Sequence, residues 1–149
     1  MAAACAQAAP PSDAGAEQEF QYPVARRGCT QEDAPALELV LTAKPFSGLG
    51  DPAPPYLHFE ISSTPRETIR AGTYALMPLR RDESKPIRIV RGALVQSNHD
   101  SDWLTGSITL DEVIPGQEVS GRYDVATNSG KHFSNKFLAV YVQRINVCG

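Results

Sequence analysis

Between Trp103 and Val125 the chain alternates apolar and polar positions with a period of two. Ile108 and Leu110 stand against Ser107 and Thr109, Pro115-Gly116 interrupts the run, and Val119, Gly121, Tyr123 and Val125 resume it against Ser120, Arg122 and Asp124. A period of two sends one set of side chains to a core face and the other to water, and Pro-Gly reverses the chain without a helix. The stretch predicts a central β-hairpin, with Gly106 and Gly121 marking bulges or close strand contacts. The alternation recurs upstream. Leu37, Leu39 and Leu41 share one face against Glu38 and Thr42, with Val40 between them, and Leu57, Phe59 and Ile61 oppose His58, Glu60 and Ser62.

Weaker patterns fill the rest. Phe20, Tyr22 and Val24 alternate with Glu19 and Gln21, and Pro23 would confine that strand to an edge. Thr30-Gln31-Glu32-Asp33 reads as a helix N-cap that Pro35 limits to a turn. Ile69 to Met77 predicts a strand ended by Pro78, and Ile87 to Gln96 one that is buried on both faces and therefore central. The last strand lies between His132 and Val147, where Phe137 to Val142 is continuously apolar. Lys44 to Pro55, Arg80 to Lys85 and Ser97 to Asp102 read as loops, and Ser63 to Glu67 and Asn128-Ser129-Gly130 as turns. Seven or eight strands at a spacing of roughly twelve residues predict an all-β domain. An antiparallel β-sandwich follows, because two sheets bury each other's apolar faces. A small β-barrel is the alternative, since closure solves the same edge problem.

Composition narrows this picture. Residues 1–18 are mostly Ala, Pro, Gln, Ser and Gly without apolar periodicity, which predicts a disordered tail or tether before a domain at 19–149. A net charge of −3 gives no electrostatic reason to expect nucleic acid. The one basic concentration, Arg80, Arg81, Lys85, Arg88 and Arg91, is interrupted by Asp82 and Glu83 and reads as a solvated loop and strand face. No stretch is long and apolar enough for a spanning helix.

Three cysteines carry separate messages. Cys29 opens the globular part and Cys148 is the penultimate residue, so a disulfide between them would tie the ends of the domain together, as exported proteins commonly do. Closing so long a loop would stabilise by about 5 kcal/mol in the chain-entropy model. Cys5 follows small residues and precedes a flexible Ala/Pro/Ser/Gly segment. That opening resembles the end of a bacterial lipoprotein signal, with Ala2 where the pattern has a larger aliphatic residue. The resemblance implies a lipidated Cys5 and a tether.

Catalytic chemistry finds little support. Ser107 and Ser120 sit on strands without a GxSxG turn, and Asp111-Glu112 and Glu32-Asp33 are neighbours that a strand would point to opposite faces. No catalytic residue, cofactor or metal ligand is assigned. His58 reads as a surface residue, and His132 stands at a hairpin tip where it could meet a ligand. His99, Asp100 and Asp102 share a polar loop whose acidic alternation suits calcium, but the loop lacks that motif's glycine and distant glutamate. Tyr56 and Trp103 each open a strand beside a loop. They either fill the core or form an aromatic platform for a sugar or peptide, joined by His99, Asp100 and Asp102.

The final third, Gly106-Ser107-Ile108-Thr109-Leu110, then Gly116 to Val125, then an aromatic strand ending in a terminal cysteine, resembles small exported bacterial β-sandwich domains. The resemblance implies export to the periplasm or cell surface. The expectation is a non-catalytic, envelope-associated binding or structural module whose partner is a protein or glycan of that envelope, with a lipid anchor as its one route to a membrane. The alternative is a carbohydrate-binding or hydrolytic domain working through the 44–56 and 97–103 loops.

Overall fold

The computed structural model describes residues 19–29, 35–62, 69–77, 89–97 and 100–143, and among them there is no helix. Eight strands follow in order: β1 Tyr22–Cys29, β2 Pro35–Thr42, β3 Tyr56–Ser62, β4 Gly72–Ala75, β5 Val90–Ser97, β6 Asp100–Ile114, β7 Glu118–Thr127 and β8 His132–Val142. The all-β class holds. Of the two architectures left open by the alternation, the closed barrel fits and the sandwich does not. Seven strands form a ring in the order β6-β5-β3-β2-β1-β8-β7, and β7 returns to β6.

Closure has a simple geometric condition. If every junction reversed direction, a ring of seven strands would meet itself in the wrong sense. Six junctions are antiparallel and one, β1 beside β8, is parallel, with Val24 next to Val140 and Arg26 next to Val142. The fifteen-residue β6 is the other device. Its first residues pair with β5, Gly72–Ala75 of β4 takes the same edge further along, and β7 takes the opposite edge.

The ring is filled rather than hollow. Leu37, Leu39 and Leu41, then Leu57, Phe59 and Ile61, Leu94, Leu104, Ile108 and Leu110, and Val119, Tyr123 and Val125 all point inward. Tyr123 lies between Phe59, 5.7 Å away, and Phe137, at 6.4 Å. Burial, with the Glu19 carboxylate as a second cause, pushes the Tyr123 phenol up to about 12. Phe20 packs edge-on against Phe133 at 5.5 Å and closes one end.

The expected hairpin is β6–β7, turned by Pro115-Gly116-Gln117 with Gly116 at φ 71°. Gly106 and Gly121 are close strand contacts, since a Cβ on either would collide with the carbonyl oxygen of Asp124 or Thr109 across the pair. The bulge falls between Leu110 and Glu112. There Asp111 and Glu112 are both exposed while Leu110 and Val113 both pack on the core, so the opposite-face expectation fails at this point.

Three further boundaries differ from the sequence reading. β1 continues to Cys29 between two neighbours, so Pro23 does not mark an edge; it pairs with Leu41 and lies just before the segment shared with β8. The Ile69–Met77 strand shortens to Gly72–Ala75. The polar 97–102 loop is mostly strand, because β5 runs to Ser97, β6 starts at Asp100 and the two pair there. The turns expected at 30–33 and 63–67, the loop expected at 80–85 and the chain beyond Gln143 lie outside the described residues.

Candidate functional site

The outward side chains of β3, β5 and β6 make a continuous surface. Because Leu57, Phe59, Leu94 and Leu104 point inward, Tyr56, His58, Ala93, Val95 and Trp103 point outward. Register sets His58, Ala93 and Trp103 in one row across the strands and Tyr56, Val95 and Ser101 in the next. Trp103 is 41% exposed and Tyr56 half-buried. Tyr56 and Trp103 rise two strands and one row apart, a separation of about 12 Å from ordinary sheet spacings. Ala93 is buried although it points outward, so its neighbours' side chains cover it. The result is a shallow surface with an aromatic ring at either side and a small aliphatic floor. Burial first, and the Asp51 carboxylate second, raise the Tyr56 phenol above its ordinary value.

A polar cluster adjoins this platform. The Arg26 guanidinium donates through Nε to Glu38 Oε2 at 3.1 Å and through Nη2 to Glu38 Oε1 at 3.0 Å, and His58 Nε2 approaches the same Oε1 at 2.8 Å. Glu38 lies opposite both Arg26 and Glu60 in the register, and Arg91 Nη2 stands 3.9 Å from Glu60 Oε1. Burial alone would raise the Glu38 carboxyl, but the hydrogen bonds from His58 and Arg26 outweigh it and hold the group at about 2. His58 is therefore not the surface residue that alternation suggested. Its side chain is 27% exposed and tied to the cluster.

The Pro- and Gly-rich segment after β2 is a strap and not a free loop. Arg26 Nη1 donates to the carbonyls of Gly48 at 3.0 Å and Gly50 at 2.7 Å, and Thr42 Oγ1 donates to the Lys44 carbonyl at 2.6 Å. The Arg26 guanidinium lies 5.8 Å from the centre of the Phe46 ring. Gly48, at φ +89°, comes so near β8 that a Cβ would meet the Val142 side chain at 2.6 Å. The strap thus covers the outward face of β1 and β2, where Val24 and Val40 are buried.

The other singled-out residues scatter. His99 lies outside the described residues. Asp100 and Asp102 are strand residues on the opposite side of β6 from Trp103, and Asp102 Oδ2 accepts from Gln96 Nε2 at 3.3 Å. They do not join the platform. At that end of the barrel a cleft of about 400 Å³ is lined by Glu19, Pro55, Leu94, Gln96, Lys131, His132 and Phe133. His132 Nε2 meets Asp124 Oδ1 at 2.5 Å on the outside of β7 and β8. No group of three or more His, Cys, Asp or Glu among the described residues is placed to hold a metal ion.

The cluster was the missed feature. Alternation points Glu38 and His58 outward, and only the pairing of their strands in register brings them together. Arg26 escapes the pattern because the apolar alternation of the first strand stops at Val24. Comparison of the chain with protein-family models, curated proteins and solved structures finds no match in any of the three.

Proposed function

We propose that the protein is a non-catalytic binding module that holds a glycan against the platform of Trp103 and Tyr56. The observation that carries this reading is the exposure of Trp103, 41%, on a wall whose neighbouring outward residues are small. A sugar ring offers C–H groups to an aromatic face and hydroxyls to polar groups beside it. Here those groups are the edge of His58 and the hydroxyl of Tyr56. Titration of the protein with envelope oligosaccharides should shift Trp103 fluorescence, and Trp103→Ala should abolish retention on the same glycan. A fluorescence spectrum indifferent to every oligosaccharide, with equal retention of the variant, would overturn the reading.

The module works outside the cell, in the periplasm or at the surface, and meets a membrane only through a lipid on Cys5. Two observations support the Cys29–Cys148 disulfide on which export rests. Cys29 is not a free thiol. In addition, β8 runs parallel to β1, and its last residue, Val142, stands beside Arg26, three positions before Cys29. Mass spectrometry with and without reductant checks it, and two free thiols in protein taken from its native compartment would remove the argument for export.

A further inference from the structure

The outward face of β7 and β8 carries the two large aliphatic side chains that are exposed on the described strands. Leu138 is 55% and Val140 61% exposed, in alternate positions of β8. Register places Glu118 beside Val140, Ser120 beside Leu138, and Arg122 beside Lys136. Along the strands the face therefore reads acid with aliphatic, then small with aliphatic, then two bases.

We propose that this face docks a second copy of the chain about a twofold axis crossing the strands at the Leu138–Ser120 row. That operation inverts the order of the rows and keeps each strand over its own counterpart. Leu138 meets the second copy's Leu138, Val140 lies on the aliphatic stem of the second copy's Lys136, and Glu118 faces the second copy's Arg122. The last contact occurs twice by symmetry. An axis running along the strands would instead set Val140 over the second copy's Glu118 and leave the bases facing each other. The charge pattern therefore selects the crossing axis and buries the two aliphatic residues at its centre. A face two strands wide on a convex barrel is at the small end of specific interfaces, so the dimer is reversible.

Sedimentation of the full chain over a concentration series reaching the millimolar range tests this. The weight-average mass should climb from monomer toward dimer. Leu138→Asp should remove the climb, and Glu118→Arg should weaken association by at least about tenfold because like charges then face each other. The double exchange E118R/R122E should restore it. All three positions are outward on strands, and unchanged circular dichroism and melting would show that the barrel is intact. A monomer throughout the series, a dimer that persists in Leu138→Asp, or a double exchange that fails to restore association would each overturn the proposal.

Discussion

The two halves of the barrel wall are held by different means. Outside β1, β2 and β3, contact between strands is reinforced by side chains that cross them, and the 43–55 strap shields those side chains from water. Outside β6, β7 and β8 no described segment plays that part, and the strands are drawn together by backbone contact at Gly106 and Gly121. A covered wall can hold charges in a partly dry setting where pairing is strong, while an open wall must rely on contacts that water does not weaken. The open wall is consequently the one with surface to offer a partner.

The largest effect should come from the open wall's backbone contact. In Gly121→Ala the new Cβ would strike the Thr109 carbonyl, and backbone paired on both sides has little room to yield. A loss of about 3 kcal/mol or more is expected in urea unfolding, at the upper end of overpacking costs. Gly106→Ala should behave alike, since φ +114° adds conformational strain to the collision with Asp124. A loss below about 1 kcal/mol in both would mean that β6 and β7 separate there at little cost, and the contrast between walls would fall.

Next comes the covered wall. Arg26→Ala removes four hydrogen bonds, two of them to Glu38 and two to the strap carbonyls of Gly48 and Gly50. Breaking a buried pair from one side costs about 3 kcal/mol. The strap should also lose amide-exchange protection at residues 48–50, whereas Gly121→Ala should leave that segment's local protection in place. Equal protection in Arg26→Ala would show that the strap is held by its own packing and not by the guanidinium.

Glu38 gives the same wall a pH signature. Its carboxyl is held at about 2 in the folded chain against an ordinary 4.5, so the folded state resists protonation more than the unfolded state does. The contribution is complete above pH 4.5 and is lost as pH falls toward 2. It amounts to about 2 to 3 kcal/mol after allowing for partial access of water. Glu38→Gln should lower stability at pH 7 and flatten the acid limb between those values. Parallel acid limbs in both proteins would show that other carboxylates set it.

Which parts of this were legible follows from the range of each interaction. Leu37-Leu39-Leu41, Leu57-Phe59-Ile61 and the 103–125 hairpin declare their inward faces through local alternation, and the Pro-Gly turn is local too. Closure depends on the parallel seam of Val24–Arg26 with Val140–Val142, more than a hundred positions apart, and no periodicity encodes which distant edges meet. The same holds for the polar cluster. Glu38 and His58 look like two separate solvent-facing residues until β2 and β3 are paired in register. Trp103 and Tyr56 could be singled out as strand-opening aromatics, but their common outward face required knowing that β5 lies between them. The 44–55 composition correctly denied a strand, yet could not show the Arg26 contacts that fasten the segment down.

The smallest expected effect separates distance from burial as the measure of a contact. His132 and Asp124 meet at 2.5 Å, closer than His58 and Glu38 at 2.8 Å. Ranked by distance, the outer pair should be the stronger. Its side chains, however, are 59% and 71% exposed, against 27% and 14% for the covered pair. Water competes for every hydrogen bond of an exposed pair, and holding two free side chains together costs entropy. Asp124→Asn should therefore cost about half a kcal/mol at most. His58→Ala should cost about 1 to 2 kcal/mol because it takes one hydrogen bond from the Glu38 carboxylate in a setting that water reaches poorly. A double-mutant cycle on each pair isolates the coupling from the other consequences of substitution. Equal coupling energies, or a stronger one for His132 with Asp124, would mean that the strap does not dry the wall it covers, and the difference between the two halves would reduce to backbone contact alone.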